Sequence, residues 1–301
     1  MEAGRGPPAK AWLHRAAARS RHALDQPRRR WLLALVYSLA ATIGDRRWCR
    51  IRRQGGTWSY RYNGQIILSD QLLLPSATFD QDLEIFLWDY RPEPGDTILD
   101  IGAGSGTEAV RFARFVGPLG MVVAVEAHPR TAAVLRQACE LNHLTNVVVR
   151  AVAVGDQVGT VLLSDEDEPG MNTLFEGGSL EVPMTTLDAL VHQLGIKRVA
   201  LVKMNIEGAE RLAIRGAIIT ASCTDRMVIS CHDFLGTAWG ATKADVRAWL
   251  EGEGFIVLTR PDDPRPWCRD YLYASRLHAS GRSQADQLRS KHCGLGSAAS
   301  L

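Results

Sequence analysis

The stretch Asp100-Ile-Gly-Ala-Gly-Ser-Gly106 sets three glycines at alternate positions, between a short apolar run, Thr97–Ile101, and a helical pattern that starts at Thr107. Glycine lets the backbone turn tightly and approach a ligand closely. In an open α/β sheet the ligand sits beyond the carboxyl ends of the strands. Glu126 closes the next apolar run, 22 residues after Gly104. A carboxylate placed there can accept hydrogen bonds from two ribose hydroxyls. Loop and carboxylate together imply a cofactor that contains a nucleoside.

Two details separate the candidate cofactors. The dinucleotide fingerprint G-x-G-x-x-G would need glycine where Thr107 stands. The acidic Asp100 just before the glycines suits the cationic amino-acid end of S-adenosylmethionine, whereas a pyrophosphate would favour an apolar neighbour. Hydride transfer with a nicotinamide is therefore the weaker alternative.

Downstream, Glu181-Val-Pro-Met-Thr-Thr-Leu-Asp188 and Leu201-Val-Lys-Met-Asn-Ile-Glu-Gly-Ala-Glu210 resemble paired motifs of the FkbM methyltransferases, "V-P-x-T-T-L-D" and "K-x-D-x-E-G-x-E". The resemblance runs over about residues 79–260. It implies a Rossmann-like, seven-stranded class I methyltransferase sheet with a final antiparallel strand. It also implies S-adenosylmethionine as cofactor and methyl transfer to a hydroxyl of a sugar, lipid-linked or natural-product acceptor. Carried over by position, Asp100, Gly102, Ala103, Gly104, Gly106 and Glu126 line the cofactor site, and Ala153 and Asp156 border the adenine. One position departs from the family: its usual Asp at the end of the fourth strand is Asn205 here, which can hydrogen-bond but cannot take a proton.

Methyl transfer to a hydroxyl requires an in-line arrangement and removal of a proton. Lys203, Asn205, Glu207, His232 and Asp233 fall at the ends of the fourth and fifth strands, facing the cofactor loop. His232 is the expected base, because imidazole titrates near neutral pH. Glu207 is expected to orient the substrate or close the site, and Lys203 to pair with a carboxylate. No ligand spacing supports a metal. The N-P-P-Y and D-P-P-Y clamps for amines and the Pro-Cys pair for cytosine C5 are absent from the sequence.

The elements that must position these residues alternate. Strands are expected at Thr97–Ile101, Met121–Val125, 147–152, 199–204 and 227–231. Helices are expected at Thr107–Val116, Pro129–Leu141, 187–194, 209–219 and 242–253, the last with Thr242 as its N-cap. Alternation of this kind makes a parallel sheet covered on both faces. Segments 158–163 and 181–184 read as inserted strands, and 255–259 with 267–274 as a closing hairpin. The acidic stretch 165–168 and residues 171–175 are candidates for the acceptor side. The domain plan is a basic extension over 1–53 with a short apolar helix at 31–44, a lead-in hairpin and helix over 54–95, the methyltransferase domain over 96–278, and a disordered tail over 279–301.

Charge is distributed unevenly. Residues 1–53 hold thirteen Arg and Lys against three acidic residues, a balance of +10, while the whole chain carries only +2, so the remainder carries −8. A basic arm on an acidic body suits an anionic partner, either lipid headgroups or nucleic acid. The apolar run 31–44 is shorter than the roughly 20 residues that cross a bilayer, so an interfacial or packed helix is expected. The six cysteines include no C-x-x-C pair, which fits free thiols in a reducing, cytoplasmic setting with peripheral membrane contact. Two further readings are an RNA-directed methyltransferase that uses the basic arm, and a catalytically weak cofactor-binding interaction protein.

Overall fold

A computed structural model describes residues 28–54, 56–164 and 178–276. The expected tail, most of the basic leader and the acidic 165–175 stretch lie outside them.

The chain enters through α1 (Arg30–Asp45), then β1 (Cys49–Gln54), β2 (Thr57–Tyr62) and β3 (Gln65–Ser69), an antiparallel meander, and α2 (Phe79–Phe86). Cys49 and Ile51 alternate inward with outward Arg50 and Arg52, the period-two pattern of a half-buried sheet. Leu33, Tyr37, Ala41, Ile51, Trp58, Tyr60 and Tyr62 build one core between α1 and the meander. The boundary expected between residues 53 and 54 therefore falls inside β1, which pairs with β2 along its whole length. Helix and meander are one unit, not an arm followed by a hairpin.

The main sheet uses β4 (Thr97–Ile101), β5 (Met121–Val125), β6 (Val147–Arg150), β10 (Leu201–Met204), β11 (Arg226–Ser230), β12 (Ile256–Leu258) and β13 (Tyr271–Ser275). Their order is β12-β13-β11-β10-β4-β5-β6. β13 runs antiparallel between β11 and β12, so the edge strand is β12. The β4, β5, β10 and β11 runs are almost wholly buried, as expected of parallel strands covered on both faces. α3 (Thr107–Val116) and α4 (Pro129–Leu141) cross between the first strands. A small sheet of β7 (Ala153–Val154), β9 (Leu180–Thr185) and β8 (Gly159–Leu163) stands beside them.

The helix expected over 209–219 is two helices, α6 (Glu210–Arg215) and α7 (Ile218–Ser222), following α5 (Leu187–Gln193). The break has a cause in the Thr-Thr-Leu-Asp motif. Asp188 accepts from Ile219 N at 3.0 Å and Thr220 N at 2.7 Å, giving α7 its own cap, while Thr186 Oγ1 caps α5 through Ala189 N at 3.0 Å. The last helix, α8 (Lys243–Gly252), corrects another expectation: Thr242 makes no side-chain cap. The carboxylate of Asp233 accepts from Thr242 N at 3.1 Å and Lys243 N at 3.0 Å. Asp233 is thus a helix cap rather than a group in the site.

Candidate active site

A cavity of about 860 Å³ opens at the carboxyl ends of β4, β5 and β10, within the size range of small-molecule sites. The turn from β4 into α3 forms its floor. Gly102 takes φ +73, and a Cβ there would stand 1.9 Å from the Asn205 carbonyl oxygen, so β4 and the exit of β10 approach closely only through glycine. Gly104, at φ +55, faces open space, and that space is the cavity. Gly106 does not line the cavity. Its φ is +92 and a Cβ would meet Leu135 Cδ1 at 2.5 Å, so this glycine lets α3 pack on α4.

Glu126 ends β5 with both carboxylate oxygens oriented. Gly104 N donates to Oε2 and His128 N to Oε1, each at 2.9 Å. Burial raises its pKa, and the two amides work the other way. Each oxygen keeps a second lone pair for a ligand. Ala103 and Ala153 also line the wall. Asp156 does not: its carboxylate lies 3.9 Å from Arg215 on a half-exposed surface.

Asp100 does not reach the cavity, contrary to expectation. It is fully buried, with Oδ1 2.9 Å from Lys203 Nζ, and β4 and β10 set these two residues side by side in register. Lys203 Nζ also donates to the Gly102 carbonyl at 2.8 Å. Burial acts to lower the Lys203 pKa, but Asp100 and then Glu108 outweigh it and hold the ammonium charged. Asp100 therefore anchors Lys203, and Lys203 is the member of the pair that meets the cavity.

The lead-in unit supplies a wall that sequence reasoning missed. Thr57, Gln71, Asp82 and Phe86 all line the cavity. Burial pushes the carboxyl of Asp82 up to about 6 against the pull of Lys203 and Arg111. It pushes Glu108 up to about 7, opposed by Lys203 and reinforced by Asp100 and Asp82. Asp70, Asp82, Glu108, Glu126 and Glu207 thus face the cavity against Lys203 and Arg130. Such a wall favours a cation. Glu108 sits in the first turn of α3, the helix terminus where a dinucleotide would place its pyrophosphate.

The loop after β10 explains the Lys203–Glu210 motif residue by residue. Glu210 is fully buried and accepts from Ile206 N and Gly208 N at 3.3 Å each, and from Thr242 Oγ1 at 3.3 Å. It folds the loop back on itself. Gly208 takes φ +97, and a Cβ would press on the Trp239 ring at 2.4 Å. Glu207 precedes it in the left-handed region, φ 51, a conformation costing on the order of 1 kcal/mol for a residue with a side chain. That turn puts Glu207 on the cavity wall beside Asn205. Asn205 Oδ1 is buried without a hydrogen-bond partner, an acceptor that a ligand donor would satisfy.

His232 lies behind Glu207 and is 2% exposed. Its Nε2 is 3.2 Å from Glu207 Oε2 and its Nδ1 is 3.1 Å from Glu210 Oε1. Burial works to lower its pKa, but the bonds to Glu207 and Glu210 and their charges raise it from 6.5 to about 10. An imidazole already protonated at neutral pH cannot serve as the base. His232 is a cationic strut between two carboxylates. Among the described residues no His, Cys, Asp and Glu grouping suits a metal ion.

Comparison with known proteins gives the family. The "Methyltransferase FkbM domain" family model matches residues 100–257, just over half of the chain. "Methyltransferase 1" of Beauveria bassiana is 25% identical over 64% of this chain and 87% of its own length. Protein-L-isoaspartate O-methyltransferase of Aeropyrum pernix is 43% identical over 65 residues, 22% of this chain; the match spans only 24% of that protein's length. Among solved structures, Aeropyrum pernix fibrillarin in complex with bound S-adenosylmethionine superposes with a TM-score of 0.40 at 14% identity, over 75% of this chain and 97% of that one. The glycine turn, the oriented Glu126 and the anionic wall fit S-adenosylmethionine. The chain belongs to the FkbM family of S-adenosylmethionine-dependent methyltransferases.

Proposed function

We propose that the chain methylates a hydroxyl group of a sugar, lipid-linked or natural-product acceptor. The observation that carries this reading is the Glu207 carboxylate, set on the cavity wall and braced from behind by a protonated His232. Bound S-adenosylmethionine supplies an electrophilic methyl on a sulfonium. Glu126 holds the ribose hydroxyls. Asp82 and Glu108 provide anionic partners for an ammonium, and Lys203 a partner for a carboxylate. Asn205 Oδ1, an unsatisfied acceptor, would take a hydrogen bond from a second donor on the acceptor molecule, such as a neighbouring hydroxyl, and fix its orientation. As the hydroxyl oxygen bonds to the methyl carbon and the carbon–sulfur bond breaks, releasing S-adenosylhomocysteine, Glu207 would take the hydroxyl proton and later return it to water. Asn205 replaces the family's usual Asp, so this task falls to the neighbouring carboxylate.

The test is transfer of a labelled methyl group to polyhydroxylated acceptors and to matched deoxy analogues. Labelled ether products, with Glu207→Gln lowering kcat about 100-fold or more at nearly unchanged S-adenosylhomocysteine affinity, support the reading. Label on nitrogen or carbon, or a Glu207→Gln variant with full kcat, overturns it.

A further inference from the structure

α1 has two apolar faces. Leu33, Ala34, Tyr37, Ala40 and Ala41 pack on the meander. On the opposite side, Trp31, Leu35, Leu39 and Ile43 recur every fourth residue and are 65%, 49%, 52% and 59% exposed. No charged residue occurs between Arg30 and Asp45. A helix at a water-facing surface normally turns polar side chains outward. α1 cannot roll to bury this stripe. Ser38 Oγ accepts from Ile51 N at 2.8 Å and Thr42 Oγ1 accepts from Cys49 N at 3.0 Å, tying the helix to β1.

The ends of the helix name the partner. Exposed Arg28 and Arg29 precede it; exposed Arg46, Arg47 and Trp48 follow it. An apolar stripe with cationic ends and tryptophans at both ends suits a lipid–water interface. We propose that α1 lies flat in the surface of a membrane bearing anionic headgroups, with Trp31, Leu35, Leu39 and Ile43 inserted among the acyl chains and Arg28, Arg29 and Arg46 on the phosphates, while Arg47 pairs with Asp80 at 3.6 Å. The helix is an in-plane anchor; among the described residues none is long and apolar enough to cross a membrane. Two other occupants fit less well. Pairing α1 with α1 of a second copy, parallel or antiparallel, brings arginines onto arginines. Residues 1–27 hold five Arg and Lys against two acidic residues, and few large apolar side chains, a composition for headgroups rather than for covering the stripe.

Vesicle flotation of the full chain tests this. Vesicles of phosphatidylcholine mixed with phosphatidylglycerol are expected to carry the protein up; pure phosphatidylcholine carries far less. Leu35→Asp with Leu39→Asp is expected to reduce partitioning at least about tenfold, and Arg28→Ser with Arg29→Ser and Arg46→Ser to reduce it and weaken its salt dependence. Unchanged S-adenosylhomocysteine affinity certifies that the variants are folded. A wild-type chain that stays at the bottom with both vesicle types overturns the proposal, as does an aspartate variant that floats like wild type. A wild-type dimer that the aspartate variant loses, without flotation of either, assigns the stripe to a second copy.

Discussion

Replacing His232 with glutamine removes the one cation between two carboxylates. A ring whose pKa stands at about 10 instead of 6.5 is favoured in its charged form by roughly 4–5 kcal/mol, at about 1.36 kcal/mol per pH unit. Glu207 keeps a 28% exposed side chain, and relaxation of its loop recovers part of the loss, so a destabilisation of about 2–4 kcal/mol is expected. That corresponds to a fall in Tm of roughly 3–6 °C for a chain of this size. The pH dependence carries the stronger test. Below about pH 6.5 the ring is charged in folded and unfolded chains alike, and its full contribution stands. As pH rises through the folded value of about 10, the proton leaves and the contribution is lost. Calorimetric unfolding of wild type and His232→Gln should show a gap that is widest at and below pH 6.5 and closes toward pH 10.5. A gap that stays constant over that range, or no gap at all, refutes the protonated strut.

Two glycines only two residues apart should behave differently. Gly102→Ala, with its Cβ on the Asn205 carbonyl and φ +73, is expected to cost more than about 3 kcal/mol, read as loss of soluble, folded protein. Gly104→Ala, facing open space at φ +55, should cost only about 1 kcal/mol in stability while weakening S-adenosylhomocysteine binding measurably by calorimetry. Glu108 and Asp82, held protonated up to about 7 and 6 by burial, gain charge as pH rises. Affinity for the cationic S-adenosylmethionine should therefore climb between pH 5.5 and 8, and Glu108→Gln should flatten that climb; an affinity independent of pH in wild type contradicts the anionic wall.

Much of the scaffold was legible because it depends on local pattern. Buried apolar runs such as Met121–Val125 and the 3.6-residue spacing of Pro129–Leu141 mark strand and helix without any knowledge of their neighbours. The closing hairpin could be read from two strands with only a Pro-rich segment between them, which folds as a short 3-10 turn over Pro266–Asp270, and the cofactor loop from Asp100–Gly106 with Glu126. What escaped depends on side chains that meet across long separations. Nothing at positions 207, 210 and 232 shows that one imidazole will stand between two carboxylates, a contact that turns the expected base into a cation. Asp100 looked like a ligand because the glycine turn follows it closely in sequence; its neighbour in space is Lys203, one strand away. Asp233 and Asp188 each cap a helix other than the one their sequence position suggests. The lead-in unit gave no sign that Thr57, Gln71 and Asp82 would wall the cavity, since that placement follows from docking the meander on α3 and α4.

Calorimetric titration of the full chain with S-adenosylhomocysteine, and separately with NAD, tests the central claim most directly. The cavity predicts one site of micromolar or better affinity for the first and no heat of binding for the second, with the first lost on Glu126→Ala. Binding of NAD in its place, or S-adenosylhomocysteine binding indifferent to Glu126→Ala, would contradict it.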